Sequence, residues 1–94
     1  MKNQLAELAS IVADRFECSG CDTLQYNEFS YGVLYNRKHI GFFTLCYDYF
    51  FYKIELSYHK VIDRVNYSDL DVDKIVNLFL SYTTSTKFIR VKHG

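Results

Sequence analysis

The stretch FFTLCYDYFFYKIELSY, from Phe42 to Tyr58, decides the fold because it spans two segments with strand character. Eight of its seventeen residues are aromatic. Alternate residues from Tyr52 to Tyr58 are apolar and the residues between them are polar, which is typical of a strand with one buried face. The aromatic run before them continues a second predicted strand, Ile40 to Tyr47.

A further strand precedes this pair. The residues from Phe29 to Tyr35 alternate with a period of two, and the polar segment 36–39 after them can close a hairpin. A two-residue loop at Arg37 and Lys38 sets Val33 opposite Phe42. The sequence therefore predicts a meander of three antiparallel strands.

The second turn determines which residues share a face. A loop of two residues would place the row from Tyr52 to Tyr58 on the face opposite Phe42, since a slip of one residue exchanges the faces of a strand. We therefore predict a three-residue loop, Asp48 to Phe50. The core face then holds Phe29, Tyr31, Val33, Tyr35, Ile40, Phe42, Thr44, Cys46, Tyr52, Ile54, Leu56 and Tyr58.

Helices are predicted on both sides of the meander. Apolar residues recur at three- and four-residue spacing between Asn3 and Glu17, and Gly20 follows as a helix terminator. A second helix is predicted from Asp71 to Tyr82, behind the cap residue Ser68 and before the polar run TTST. Segment 87–91 alternates again and predicts a fourth strand, while 59–67 receives no assignment. Residues 1–94 are thus expected to form a single two-layer α+β domain of order α-β-β-β-α-β.

Composition excludes several classes of function. Eleven basic and eleven acidic residues cancel, which lowers the expectation of a general nucleic-acid binder. The chain shows no signal peptide, no membrane span and an odd set of three cysteines, so we expect a cytoplasmic protein, in the host cytoplasm if it is phage-encoded. No phosphate-binding loop or catalytic relay is evident, and we expect neither enzymatic activity nor a cofactor.

Two short motifs suggest metals. CSGC, with Cys18 and Cys21, follows a helix C-terminus, where the dipole disfavours thiolate, and the three scattered histidines add no paired ligand spacing. Zinc binding through this CxxC is therefore the weaker alternative to a simple turn. DLDVD, residues 69–73, resembles the start of a calcium loop, but Lys74 and Leu80 replace the glycine and glutamate that such a loop needs.

Nucleic-acid binding is the alternative function. The order of helix, three strands and helix resembles double-stranded RNA-binding domains, but Asp69, Asp71 and Asp73 stand where that family has a basic cluster. Basic residues gather instead near the first hairpin and at the C-terminus. The residues that would contact a nucleic acid are Arg37, Lys38, Lys87, Arg90 and Lys92.

The predicted outer face of the sheet gives the main functional hypothesis. Its apolar row is large for a surface that a monomer leaves bare, so either a partner covers it or a helix or the unassigned segment makes it a second core. We therefore expect a protein-binding domain, with a homodimer as one form of the interaction. Low Ala, no Pro and abundant Tyr, Phe, Lys and Asn suggest a phage or mobile-element protein, and a host defence complex as partner, in the manner of anti-CRISPR inhibitors. The expected interface residues are Leu34, Phe43, Leu45, Tyr47 and Phe51.

Overall fold

The computed structural model describes residues 2–93, with side chains described from residue 3 to residue 83. Five antiparallel strands form one sheet in which the strand order follows the chain order. The elements are helix α1 (Lys2–Cys18), strands β1 (Asp22–Asn27), β2 (Ser30–Tyr35), β3 (Lys38–Leu45), β4 (Tyr49–Leu56) and β5 (His59–Asn66), a 3₁₀ turn (Tyr67–Asp69) and helix α2 (Val72–His93).

The α+β class and the antiparallel sheet are confirmed, and the element order is corrected to α-β-β-β-β-β-α. Strands β1 and β5, at the two edges, were not predicted. An edge strand is covered on one side only, so its sequence needs little apolar alternation. In β1 every residue except Thr23 is exposed, and in β5 no residue is buried.

The C-terminal prediction is wrong, because α2 continues through the TTST run and through the predicted strand 87–91. Hydroxyl side chains weaken helices by competing for backbone bonds, but here they bond within the helix. Ser81 Oγ donates to the carbonyl of Leu78 at 2.7 Å, and Thr83 Oγ1 donates to that of Leu80 at 2.7 Å. The hydroxyls of Ser81 and Thr83 are thereby satisfied within the helix.

Helix α1 confirms the predicted apolar spacing and ends where expected. Ala9, Val12 and Phe16 are buried on one side. At the C-terminus, Gly20 has φ +97° and donates its N–H to the carbonyl of Glu17, while Cys21 donates to that of Phe16. This pair of bonds is a Schellman motif, and its left-handed position favours glycine.

The register between β2 and β3 differs from the predicted one by a single residue. The turn residues are Asn36 and Arg37, both with positive φ, rather than Arg37 and Lys38. A bulge at Ile40 then shifts the pairing between His39 and Gly41. Tyr31 therefore lies opposite Phe43, and the two faces of β3 are exchanged relative to the prediction.

The turn between β3 and β4 follows from the same correction. Leu45 pairs with Phe50, and Cys46 N–H donates to the Tyr49 carbonyl at 2.9 Å, so the connection holds an even number of residues. The predicted three-residue loop is wrong. It was inferred from a core face containing Phe42, whereas an even connection places Phe43 and Tyr52 together.

Both helices pack on one side of the sheet, here called the helix face. Phe43 is at its centre and stacks on Phe16 of α1 at 5.6 Å, on Tyr31 at 5.5 Å and on Phe50 at 5.6 Å between ring centroids. Phe79 of α2 meets Phe16 edge to face at 4.9 Å. The strand residues buried on the helix face are Tyr31, Val33, Phe43, Leu45, Phe50, Tyr52, Ile54 and Leu56.

Several predicted core residues are elsewhere. Phe42 and Thr44 are half-buried on the opposite face of β3, Cys46 is in the β3–β4 turn, and Tyr58 is fully exposed in the β4–β5 turn. Ile40 is buried as predicted, but as the bulge residue. The error on β3 arises because both of its faces are apolar, so that only the register distinguishes them.

Candidate binding face

The side of the sheet away from the helices carries one large apolar residue from every strand. Directly paired residues share a face, and one row runs from Leu24 through Gly32, Phe42 and Lys53 to Ile62. Leu24 and Ile62 at the two ends are 54% and 55% exposed. We define the open face by its apolar members, Leu24, Leu34, Phe42, Phe51 and Ile62.

Two phenylalanines form the middle of the open face. The rings of Phe42 and Phe51 lie 5.9 Å apart and are tilted by 40°, and both are half-buried. Beside them the hydroxyls of Ser30 and Thr44 bond to each other at 2.6 Å. The centre of the face is thus a preformed apolar surface whose polar neighbours are already satisfied.

A glycine makes room for a polar bridge across β2. The Tyr26 hydroxyl and His39 Nε2 are 2.9 Å apart and connect β1 with β3. They pass over Gly32, where an added Cβ would lie 2.3 Å from the Tyr26 hydroxyl oxygen. The absence of a side chain at Gly32 therefore allows this bridge to form.

Charge is concentrated on the β4 and β5 side of the open face. Lys53 pairs with Glu55 at 3.2 Å, and Lys60 lies opposite Glu55. The Arg64 guanidinium lies over the Tyr49 ring, 5.2 Å from its centre, which is a cation–π distance. This side is positively charged because Glu55 offsets only one of its three cations.

A polar cleft lies beside this cationic side, at the end where β4 begins. Its lining includes one basic residue, Arg64, and two acidic residues, Asp48 and Asp69. The field inside the cleft is therefore of mixed sign. The remaining lining residues are Tyr49, Val65 and Asn66.

The expected interface residues separate into three groups. Leu34 and Phe51 are half-buried on the open face, and Tyr47 is 68% exposed in the β3–β4 turn. The outward placement of Phe43 and Leu45 is wrong, because both are buried on the helix face. Sequence reasoning missed Leu24, Phe42 and Ile62. Two signals could have located the register: Asn36, a residue type that tolerates positive φ in turns, and Gly41, since a glycine within a strand indicates a bulge.

Two of the five expected nucleic-acid contacts have described side chains. Arg37 and Lys38 are exposed at the β2–β3 turn. Lys87, Arg90 and Lys92 fall in the part of α2 whose side chains lie outside the described residues.

The CSGC segment has a structural explanation. Cys18 is exposed, whereas Cys21 is buried beside the core as the last residue of the helix-ending motif. Burial raises the pKa of the Cys21 thiol, and the neighbouring Asp22 charge raises it further. Between residues 3 and 83, no three His, Cys, Asp or Glu side chains are grouped as metal ligands would be.

The fold defines the class of protein: a small α+β domain in which two helices cover one face of a five-stranded antiparallel meander. The chain matches no family model, no curated protein and no solved structure. Among the helices described, none is both long enough and apolar enough to span a bilayer.

Proposed function

We propose that this protein is a non-enzymatic binding domain that docks another protein on its open face. The observation that carries the proposal is the arrangement of the two helices. Both pack on the helix face, so the described residues leave an apolar row uncovered across all five strands.

The apolar residues of the open face would supply part of the free energy that a specific complex needs. Covering about 400 Å² of apolar surface contributes on the order of 10 kcal/mol. Association costs about 4 to 15 kcal/mol, so the apolar face needs support from polar contacts. Lys53, Lys60 and Arg64 on the β4 and β5 side provide such contacts at the rim. An apolar centre with a charged rim is the usual anatomy of a protein interface.

A protein fits this face better than a single-stranded nucleic acid. Base stacking requires ring faces that are open to a planar partner. Phe42 and Phe51 are tilted against each other, and Arg64 covers one side of the Tyr49 ring. Glu55 adds a negative charge among the cations. These features favour an irregular protein surface over stacked bases.

The finer hypotheses about the partner rest on composition. A phage origin, a cytoplasmic location and a host defence complex as the target of inhibition remain predictions from residue usage. A second copy of the chain is the other protein that could cover the open face, and its binding would make the protein a dimer.

The test compares the open face with an exposed apolar residue outside it. The double variant Phe42→Ser/Phe51→Ser should lose at least about tenfold in affinity for a partner captured from cell extract and then purified. The control Ile11→Ser, on the exposed side of α1, should bind like the unmodified chain. Circular dichroism checks that each variant is folded.

Three outcomes contradict the proposal. One is equal partner affinity in the open-face variant and the unmodified chain. Another is loss of the fold in the variant, which would make Phe42 and Phe51 core residues. The third is retention of the chain on single-stranded DNA with a steep salt dependence, which would favour nucleic acid. A doubled mass in light scattering that the double variant abolishes would identify a second copy as the partner.

A further inference from the structure

Strand β5 is the last strand of the sheet, and among the described residues no further strand pairs with its outer edge. It pairs with β4 without interruption from Tyr49 opposite Asn66 to Leu56 opposite His59. The other edge, β1, is shorter and is broken by a register shift between Gln25 and Asn27. A long edge without a bulge or proline is a template for another strand, because its outer N–H and C=O groups lack sheet partners.

The β4–β5 turn determines which backbone groups lie at this edge. Residues 57–58 form a two-residue loop, which closes on a hydrogen-bonded pair, Leu56 and His59. Alternation along an antiparallel ladder then directs the N–H and C=O groups of Lys60, Ile62 and Arg64 away from β4. One contact agrees with this assignment: the Arg64 N–H donates to Asp63 Oδ1 at 2.8 Å, outside the ladder.

The side chains of the same three residues project on the open face in the order cation, apolar, cation. Lys60 is exposed, Ile62 is 55% exposed, and Arg64 is held over Tyr49. A strand added beside β5 would place a residue directly opposite each of them. Opposite charges stabilise such cross-strand pairs and like charges destabilise them. The complementary strand would therefore carry an acidic, an apolar and an acidic residue at alternate positions.

A second copy of β5 does not satisfy this pattern. In an antiparallel pairing of two β5 strands centred on Ile62, Lys60 of each copy would face Arg64 of the other. Centring the pair on Asp63 would place two carboxylates opposite each other. Like charges in these registers disfavour self-pairing. In these two registers, the charges that would stabilise an acidic partner also disfavour a second copy of β5.

We propose that β5 accepts an extended acidic segment of a partner protein as a sixth strand, with acidic, apolar and acidic residues opposite Lys60, Ile62 and Arg64. The inference rests on the proposed function in that the partner is a protein, and it adds the chemistry and the binding mode. The added strand extends the open face, so that the edge and the face form one continuous surface.

The test uses a blocked seven-residue peptide, acetyl-Thr-Glu-Thr-Val-Thr-Glu-Thr-amide, and a matched peptide with lysine in place of both glutamates. In an NMR titration of the unmodified chain, the glutamate peptide should shift the amide signals of Lys60 and Ile62 and slow their hydrogen exchange. It should bind at least about tenfold more tightly than the lysine peptide, since two cross-strand pairs change from attractive to repulsive.

Two variants sharpen this test. Lys60→Glu/Arg64→Glu should reverse the preference, so that the lysine peptide binds more tightly. Ile62→Pro removes an N–H that points away from β4, a place where an edge strand tolerates proline, and should abolish binding of both peptides. If Ile62→Pro does not fold, the charge reversal decides the question alone.

The proposal is overturned if the charge-reversed variant keeps the original preference, or if the peptide shifts the amides of Phe42 and Phe51 rather than those of β5. The variant Phe42→Ser/Phe51→Ser separates this result from the proposed function. Edge binding survives in that variant even where docking on the open face is lost. If neither peptide binds, the edge proposal is wrong. Partner capture by the open face then still tests the proposed function.

Discussion

Two adjacent phenylalanines on β3 have opposite surroundings. Phe43, on the helix face, is fully buried and touches three other rings. Phe42, on the open face, is half-buried, and its aromatic neighbour is Phe51. The two side chains are chemically identical, so the difference arises from strand register and helix placement. Apolar character alone therefore does not identify the core of this protein.

The largest effect should come from truncating one phenylalanine and then the other. Phe43→Ala removes the ring at the centre of the core and should lower the free energy of unfolding by about 3 to 5 kcal/mol. Phe42→Ala should cost less, about 1 to 2 kcal/mol, because that ring is only partly buried and lies outside the core. Urea unfolding measures both variants. Equal losses would mean that the two faces are equally enclosed.

Two glycines test the same difference between the helix face and the open face, one on each side of the sheet. At Gly41, φ is +156° and an added Cβ would lie 2.1 Å from the Lys53 carbonyl oxygen and 2.9 Å from Phe79. Gly41→Ala should therefore lower the free energy of unfolding by about 1 to 3 kcal/mol, since neither the backbone nor the core can move aside easily.

Gly32→Ala, on the open face, is the matched control. Its Cβ would meet only the ends of Tyr26 and His39, which can swing into solvent. Its stability should stay within about 1 kcal/mol of the unmodified chain, because alanine also restricts the unfolded chain. Thermal unfolding of both variants provides the measurement. A larger loss for Gly32→Ala than for Gly41→Ala would contradict the assignment of the faces.

Alkaline pH should lower the free energy of unfolding through Tyr67. This residue is partly buried and packs against the core. Its hydroxyl donates to the Cys46 carbonyl at 2.5 Å, and burial, with the nearby Cys46 and Asp48, raises the pKa of Tyr67 to about 12. The unfolded state, with a pKa near 10, therefore releases this proton first. The Tyr67 contribution to stability is complete below pH 10 and is lost as the pH rises to about 12.

The variant Tyr67→Phe separates this effect from other alkaline titrations. It should lose about 1 kcal/mol at pH 7, where the hydrogen bond disappears, and should show a smaller decline between pH 10 and 12. A slope is still expected, because burial and the charge of Asp63 also raise the pKa of Tyr52. An unchanged slope in the variant would exclude Tyr67 as a source of the decline.

The smallest effect is expected at the ion pair that joins the two helices. Arg15 of α1 contacts Asp73 of α2, and both side chains are at least half exposed. Asp73→Asn should cost only about 0.2 to 1 kcal/mol, and less at high salt, because exposed pairs are screened. Asp14→Asn, at an exposed position of α1, is the control. A loss above about 2 kcal/mol would show that the pair holds α2 in place.

Local patterns predicted the elements whose environment differs between their two sides. Helix α1 has one apolar and one polar side, as does strand β4 from Tyr52 to Leu56, and both were located from the spacing of their residues. Strands β1 and β5 were missed because edges carry little such contrast. Leu34 and Phe51 were placed on the open face correctly, whereas the faces of β3 were exchanged.

The sequence by itself determined the α+β class, the antiparallel hairpins and the excess of apolar rings, since these follow from periodicity and composition. Only the tertiary structure decided which ring of the Phe42–Phe43 pair is buried. A turn at Asn36 and Arg37 shifts the pairing by two residues relative to a turn at Arg37 and Lys38, and the bulge at Ile40 restores one of them. The net change is a single residue. The physical reason is that side chains alternate along a strand, so that one residue of slip moves every ring to the other side.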